Sequence, residues 1–390
     1  MSRRSPLSGK YLLQNTLAKL LIKGIDFLLS FLPRKKTVIP SSPQRILIAN
    51  LAHMGDVVMM SSMLPHLKTK FPKSEIGVLI GSWSLSLMKN HPYVDHVHIV
   101  DHWKLNRAPI PFFKKFFHYY QTFFRAVKEI RNSYDIAIDS YFFFPNAIPI
   151  FWKAKIPVRI GYTSGGFGDL LTHAVEWKNL VQPLTHYYIP LLKFLNISPS
   201  HDDSCMRPYL PQPQTSQIHT RVGKPSDVAR QAYIVVHIGT GSTLKEWPLS
   251  KWRELVKKIN TYPLYFTGKG AHENKLITNI IDQIEGCINM ADQLNWEEYT
   301  ALLKGASLMI GVDSLAGHLA AVFDTPSVLI YSGMSNLDHW KPLNKKCTVL
   351  TKSLPCSPCY RGKGCSAMTC IRDVDVESVY QACKQTLTDL

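Results

Sequence analysis

Residues 308–333 read LMIGVDSLAGHLAAVFDTPSVLIYSG, and their pattern decides the fold. The first five form an apolar run of the kind found in a parallel strand covered on both faces. A polar turn, Asp313-Ser314, follows it, and a second apolar run begins near Pro326. Between them Ala316, Gly317, Ala320 and Ala321 keep a helix over about 315–323 slim enough to lie close to a sheet or a ligand. Open α/β sheets bind ligands outside the carboxyl ends of their strands. A helix starting there offers free N–H groups and a positive dipole end to an anion. Asp313, Ser314, Gly317 and His318 are therefore candidate phosphate-binding residues. The plain alternative is an Asp/Ser cap on an ordinary helix.

The same alternation extends outward in both directions. Towards the amino terminus, strands are expected at 233–240 and 264–268. Trp252, Leu255, Val256 and Ile259 mark one apolar helix face between them. Asn295-Trp-Glu-Glu298 is a capping box opening a helix that ends near Ala306. Residues 376–387 predict a closing helix, and the acids Asp373 and Asp375 before it fit capping better than metal binding.

The first half repeats the grammar: strands at 45–50, 75–81, 97–100, 135–141 and 156–162, with helices at 56–70 and 112–132. Residues 182–230 turn rich in Pro, Ser, Gln and His, which predicts a linker rather than core. No short fixed period supports a solenoid or propeller. The expected architecture is α/β, two Rossmann-like domains facing across a cleft, preceded by an amphipathic helix. The expected boundaries are an extension at 1–42, domains at 43–200 and 231–372, a linker at 201–230 and a terminal helix at 373–390.

The 390 residues carry 45 Lys and Arg against 28 Asp and Glu, a net charge of +17 that calls for an acidic partner or surface. No nucleic-acid-binding motif accompanies it, so an anionic membrane is the better candidate. The first 45 residues hold nine basic residues and one acid, Asp26. Residues 11–32, YLLQNTLAKLLIKGIDFLLSFL, are interrupted by Lys19, Lys23 and Asp26, and Arg34-Lys35-Lys36 follow. A spanning helix needs about 20 predominantly apolar residues, so this segment predicts an interfacial helix. It lacks the cleavage site of a signal peptide, and a cytoplasmic protein at the inner membrane is expected.

Eight cysteines include Cys356, Cys359, Cys365 and Cys370 within fifteen residues. In a reducing compartment such a cluster suggests a structural metal, redox-labile thiols or a disulfide, or no shared role.

Two further strand-to-helix loops carry chemistry. His53-Met-Gly55-Asp56 places Gly55 at a tight turn and Asp56 at a helix start, where it caps the helix or serves as a general base. Gly239-Thr240-Gly-Ser242-Thr243-Leu-Lys245 combines glycines, hydroxyls and a lysine suited to a diphosphate, although it is not a Walker A loop. Thr267-Gly-Lys-Gly-Ala-His-Glu273 lacks the third glycine of a dinucleotide fingerprint, which weakens an oxidoreductase reading.

In their order and spacing these loops resemble glycosyltransferase family 9, the bacterial ADP-heptose:lipopolysaccharide heptosyltransferases. The resemblance runs from about Arg45 to Val379 through RILIANLAHMGDVVMMSSMLPHLKTKFP, HIGTGSTLKEWPLSKW, VDSLAGHLAAVFDTPSVLIYSG and CSPCYRGKGC. It implies a GT-B fold with acceptor on the first domain and nucleotide-sugar on the second. By similarity Asp56 is the catalytic base and His53 and Gly55 flank it. Lys245 pairs with the diphosphate, helped by Thr240, Ser242 and Thr243, while Asp313, Ser314, Gly317 and His318 surround the donor. The resemblance implies inverting transfer from ADP-heptose to a lipopolysaccharide core acceptor, without a catalytic metal. A catalytically inactive membrane-surface or glycan-binding protein of the same fold is the alternative. Leu315 stands where the family's third motif commonly has glycine.

Overall fold

Apolar runs become the central strands of two parallel sheets. The computed structural model describes residues 10–13, 15–33, 37–200, 202, 204–214, 232–362 and 364–388. It divides into a first unit ending at Pro211 and a second beginning at Gln212.

The first unit contains β1 (Arg45–Asn50), β2 (Glu75–Ile80), β3 (His96–Ile99), β4 (Ile136–Asp139), β5 (Val158–Tyr162) and β6 (His173–Val175), ordered β3-β2-β1-β4-β5-β6. Ile46, Leu47, Ile48 and Ala49 of β1 are fully buried, as expected for a strand covered on both faces. The second unit contains β7 (Ile234–His237), β8 (Leu264–Thr267), β9 (Cys287–Asn289), β10 (Leu308–Val312), β11 (Ser327–Ile330) and β12 (Cys347–Leu350). Read from β9, its order is β9-β8-β7-β10-β11-β12, the same 3-2-1-4-5-6 arrangement. All pairings are parallel. In each sheet the chain's progress reverses beside the first strand, between β1 and β4 and between β7 and β10. Those switch points are where a doubly wound sheet opens a ligand crevice.

Several expectations change in detail. The helix expected at 56–70 is two helices, Met54–Met60 and Met63–Lys70, broken at Ser61-Ser62. The edge strands β6, β9 and β12 are additional; they have three or four residues and contain no buried residue. Residues 184–193 are not linker: Leu184, Tyr188 and Leu192 are buried in the first unit. The linker expected at 201–230 falls largely at 215–230, outside the described residues, as does Arg34-Lys35-Lys36.

The N-terminal helix is Thr16–Leu29, capped by the Asn15 side chain accepting from Ala18 N at 3.0 Å. Ile22 and Asp26 are its buried residues, and Asp26 Oδ1 accepts from Phe167 N at 2.7 Å. Gly166, at φ +83°, makes room for Ile22, with which a Cβ there would collide. Among the described residues no helix is long and apolar enough to cross a membrane. At the other end, Val379 and Cys383 of the Val376–Thr388 helix are buried in the second unit's core. Asp375 caps that helix through Ser378 N at 2.8 Å.

Candidate functional site

In the second unit, β7 and β10 are adjacent and in register, so the loops leaving their carboxyl ends meet. Lys245 Nζ lies 2.6 Å from Asp313 Oδ2, with the two side chains 29% and 12% exposed. Thr240 Oγ1 donates to the Asp313 carbonyl at 3.3 Å. Lys245 is carried by a 3₁₀ turn, Thr243–Lys245, whose N-cap Ser242 accepts from Leu244 N at 3.4 Å. Ser242 therefore has a local structural use, and the exposed Thr243 lies on the same turn. Behind the turn, Trp247 is buried and its Nε1 donates to Val374 O at 3.1 Å, anchoring the loop to the core.

The Leu315–Val322 helix begins directly after this ion pair, with Ser314 as its N-cap residue in extended conformation. The Ser314 Oγ is buried and has no hydrogen-bond partner. A buried hydroxyl without a partner costs about 1–3 kcal/mol, so its presence beside a helix N-terminus needs an explanation. His318, one turn on, is buried; burial pushes its pKa down to about 4, with Asp313 opposing and Lys245 reinforcing the shift. The imidazole is therefore neutral at pH 7. Gly317 contributes packing: a Cβ there would lie 2.7 Å from Leu329 Cδ1. Leu315 is the first helical residue and is half-buried.

Sequence reasoning set Glu273 only at the end of the Thr267–Glu273 loop and missed its place against Gly239. Its carboxylate fills the space where a Cβ on Gly239 would go, and its Oε2 accepts from Lys269 N at 2.8 Å. Burial holds the carboxyl above its usual range. The signal available was Gly239 itself, a loop glycine that admits a close neighbour.

In the first unit, the turn after β1 carries His53 as N-cap of the Met54–Met60 helix, and Asp56 Oδ2 accepts from His53 N at 3.2 Å. Gly55 lies inside the first helical turn and is not among the glycines of positive φ, so the tight turn does not depend on it. Asp56 is half-buried, and its charge is felt by Arg107, Tyr141 and Tyr188, three residues that the sequence alone did not connect with it. Asn50 at the end of β1 ties this turn to β4, donating from Nδ2 to Ser140 Oγ at 3.0 Å and accepting at Oδ1 from Ala52 N at 3.1 Å.

The four clustered cysteines are free thiols: Cys356 and Cys365 exposed, Cys359 half-buried and Cys370 buried. Burial raises the Cys370 pKa, and the three other thiols add to the rise. Among the described residues no group of three or more His, Cys, Asp or Glu is placed to hold a metal ion. The structural-metal expectation therefore finds no support in the geometry.

A sequence model described as glycosyltransferase family 9 (heptosyltransferase) matches residues 123–369. The chain belongs to glycosyltransferase family 9. It is 24% identical over 325 residues to lipooligosaccharide heptosyltransferase 2 of Haemophilus influenzae, covering 78% of this chain and 88% of that one. Lipopolysaccharide heptosyltransferase 2 of Escherichia coli K12 is 26% identical over 323 residues, with 78% and 87% covered. The family 9 structure from Veillonella parvula has a TM-score of 0.70 at 18% identity, covering 91% of this chain and all of that one (100%). E. coli ADP-heptose lipopolysaccharide heptosyltransferase II has a TM-score of 0.67 at 19% identity, covering 88% and 99%. This family 9 protein thus has the GT-B fold of the heptosyltransferases and is a glycosyltransferase.

Proposed function

We propose that this glycosyltransferase moves a heptose from ADP-heptose to a lipopolysaccharide core acceptor, with inversion at the anomeric carbon, at the cytoplasmic face of the inner membrane. The donor assignment draws support from similar folds: E. coli heptosyltransferase structures were solved with ADP and with ADP-2-deoxy-2-fluoro heptose. The observation that carries the reading is the Lys245–Asp313 pair beside the unpartnered Ser314 hydroxyl.

In this reading the second unit holds the donor. Lys245 meets the diphosphate, positioned by Asp313 and Thr240. Ser314 Oγ and the opening N–H groups of the Leu315–Val322 helix hydrogen-bond phosphate oxygens. The first unit supplies Asp56, which takes the proton of the acceptor hydroxyl. That oxygen attacks the anomeric carbon as the bond to the β-phosphate oxygen breaks, and ADP departs with the bonding pair. Charge grows on the diphosphate during this step. Donors fixed in advance stabilise it without reorganising. The His53 N–H fixes one oxygen of Asp56, and Arg107 lies within electrostatic reach of its charge. Neutral His318 contributes a ring nitrogen to the sugar-phosphate without adding charge.

Thermal stabilisation across ADP-, UDP- and GDP-linked sugars tests the proposal, followed by transfer assays with the responding donor. ADP-heptose should stabilise most and be consumed. Selective stabilisation and turnover of a UDP- or GDP-sugar would overturn the donor assignment.

A further inference from the structure

The first unit turns two apolar helix faces outward. The Phe112–Ile130 helix buries Thr122, Ala126, Val127 and Ile130, while Phe112, Phe113, Phe117 and Phe124 remain 60%, 67%, 65% and 54% exposed. The Thr16–Leu29 helix does the same: Ile22 and Asp26 point inward and Leu17, Leu21, Phe27 and Leu28 outward. Single exposed apolar residues are ordinary, but contiguous faces are not.

These faces belong to one side of the unit. The crossovers from β3 to β4, β4 to β5 and β5 to β6 all run the same way across the sheet, so their right-handedness puts the intervening helices on one face. The Ile148–Lys153 helix packs against both the Phe112–Ile130 helix and the Gly168–Leu170 turn, and that turn carries the N-terminal helix. Trp152 between them is 48% exposed. Lysines are interleaved with the aromatics: Lys114 on one helix, Lys19 and Lys23 on the other, and Lys153 with its Nζ 5.5 Å from the Phe124 ring centroid. The acids nearby are already engaged, Glu129 with His98 and Arg125, and Asp26 with Phe167 N.

We propose that this side of the first unit is a membrane-docking face in which the Phe112–Ile130 helix inserts its aromatic side chains alongside the N-terminal helix. The partner is a bilayer surface rich in anionic lipid. Aromatic and leucine side chains enter the boundary between headgroups and acyl chains, and lysines stay at headgroup level. The inference adds a second helix to the interfacial helix that the sequence predicts at residues 11–32. It does not depend on which sugar is transferred.

The test is co-flotation of the full-length protein with vesicles of phosphatidylglycerol and phosphatidylethanolamine, or of phosphatidylcholine alone, without nucleotide-sugar or acceptor. Wild type should partition at least tenfold more strongly onto the anionic vesicles and less strongly at high salt. Phe117→Ser combined with Phe124→Ser should lower that partitioning at least tenfold, with unchanged circular dichroism and unchanged transfer to a detergent-dispersed acceptor. Undiminished vesicle binding by the double variant would overturn the proposal. So would a wild-type dimer in sedimentation that the variant dissolves without any vesicle binding, because the face would then belong to a second copy. If no sugar is transferred by wild type, the function proposed above fails while the vesicle result stands by itself.

Discussion

The two sheets carry the same dipeptide at the same topological place. Asp139 ends β4 in the first unit with Ser140 just beyond it, and Asp313-Ser314 follows β10 in the second, each beside its sheet's switch point. In the first unit the pair is closed on itself. Asp139 is 1% exposed and accepts from Tyr141 N at 3.0 Å and Ala147 N at 2.6 Å. Ser140 Oγ donates to Ala49 O at 2.9 Å and accepts from Asn50 Nδ2 at 3.0 Å. In the second unit Asp313 instead reaches Lys245, and the Ser314 hydroxyl is buried without a partner. Topology makes both loops available, but of the two serines only Ser314 is left with a buried hydroxyl that finds no partner. What marks the second loop is an unpartnered hydroxyl beside an ion pair and a helix N-terminus, not its position in the fold alone.

The comparison breaks most visibly if the first unit works through the wrong loop. Its chemistry is assigned to the β1 turn, so Asp56→Asn should lower transfer on the order of 10²–10⁴-fold while circular dichroism and melting temperature stay near wild type. Asparagine still accepts from His53 N. Near-normal turnover would remove Asp56 from the base role. Lys245→Ala should come next, losing about 10²–10³-fold in kcat and weakening ADP binding in the same titration. Kinetics like those of wild type would leave the diphosphate without its lysine.

A paired substitution sharpens the contrast directly. Ser140→Ala leaves Asn50 short of a partner and should destabilise the protein by about 1–3 kcal/mol in denaturant melts. Ser314→Ala loses no hydrogen bond in the ligand-free protein and removes the buried unpartnered hydroxyl, so it should be more stable than wild type by about 1–3 kcal/mol. Its cost should appear as about tenfold weaker ADP binding, roughly 1.4 kcal/mol. The reverse pattern would make Ser314 the structural serine.

The smallest effect concerns pH. Burial pushes His318 and His237 down to about 4, whereas an unfolded histidine titrates near 6.5. Between those values the unfolded chain binds more protons than the folded one, so stability falls as pH is lowered through that window. His318→Gln should narrow the difference in melting temperature between pH 7.5 and pH 5. An unchanged difference would show that His318 is not buried in the neutral form.

Much of this architecture was legible in the sequence because buried parallel strands announce themselves. The runs ILIAN and LMIGV stand out, and the Asn295–Glu298 capping box is present, with Asn295 Oδ1 accepting from Glu298 N at 2.8 Å. Edge strands such as Cys287–Asn289 have too few buried side chains to leave a pattern. The helix break at Ser61-Ser62 is obscured by apolar residues on both sides. Within the candidate site, the loops were visible but their connections were not. Lys245 and Asp313 are joined by the adjacency of β7 and β10, and Arg107 reaches Asp56 from a loop beyond β3. Nor does composition reveal that one serine is satisfied and its counterpart is not. That distinction is set by residues distant in sequence, Ala49 and Asn50 for Ser140.

Calorimetric titration of ADP into wild type and Lys245→Ala, at fixed ionic strength and without acceptor, tests the central claim most directly. A donor-diphosphate site at the β7 and β10 loops predicts at least tenfold weaker ADP binding by the variant at unchanged circular dichroism. Equal affinities in the two proteins would contradict it.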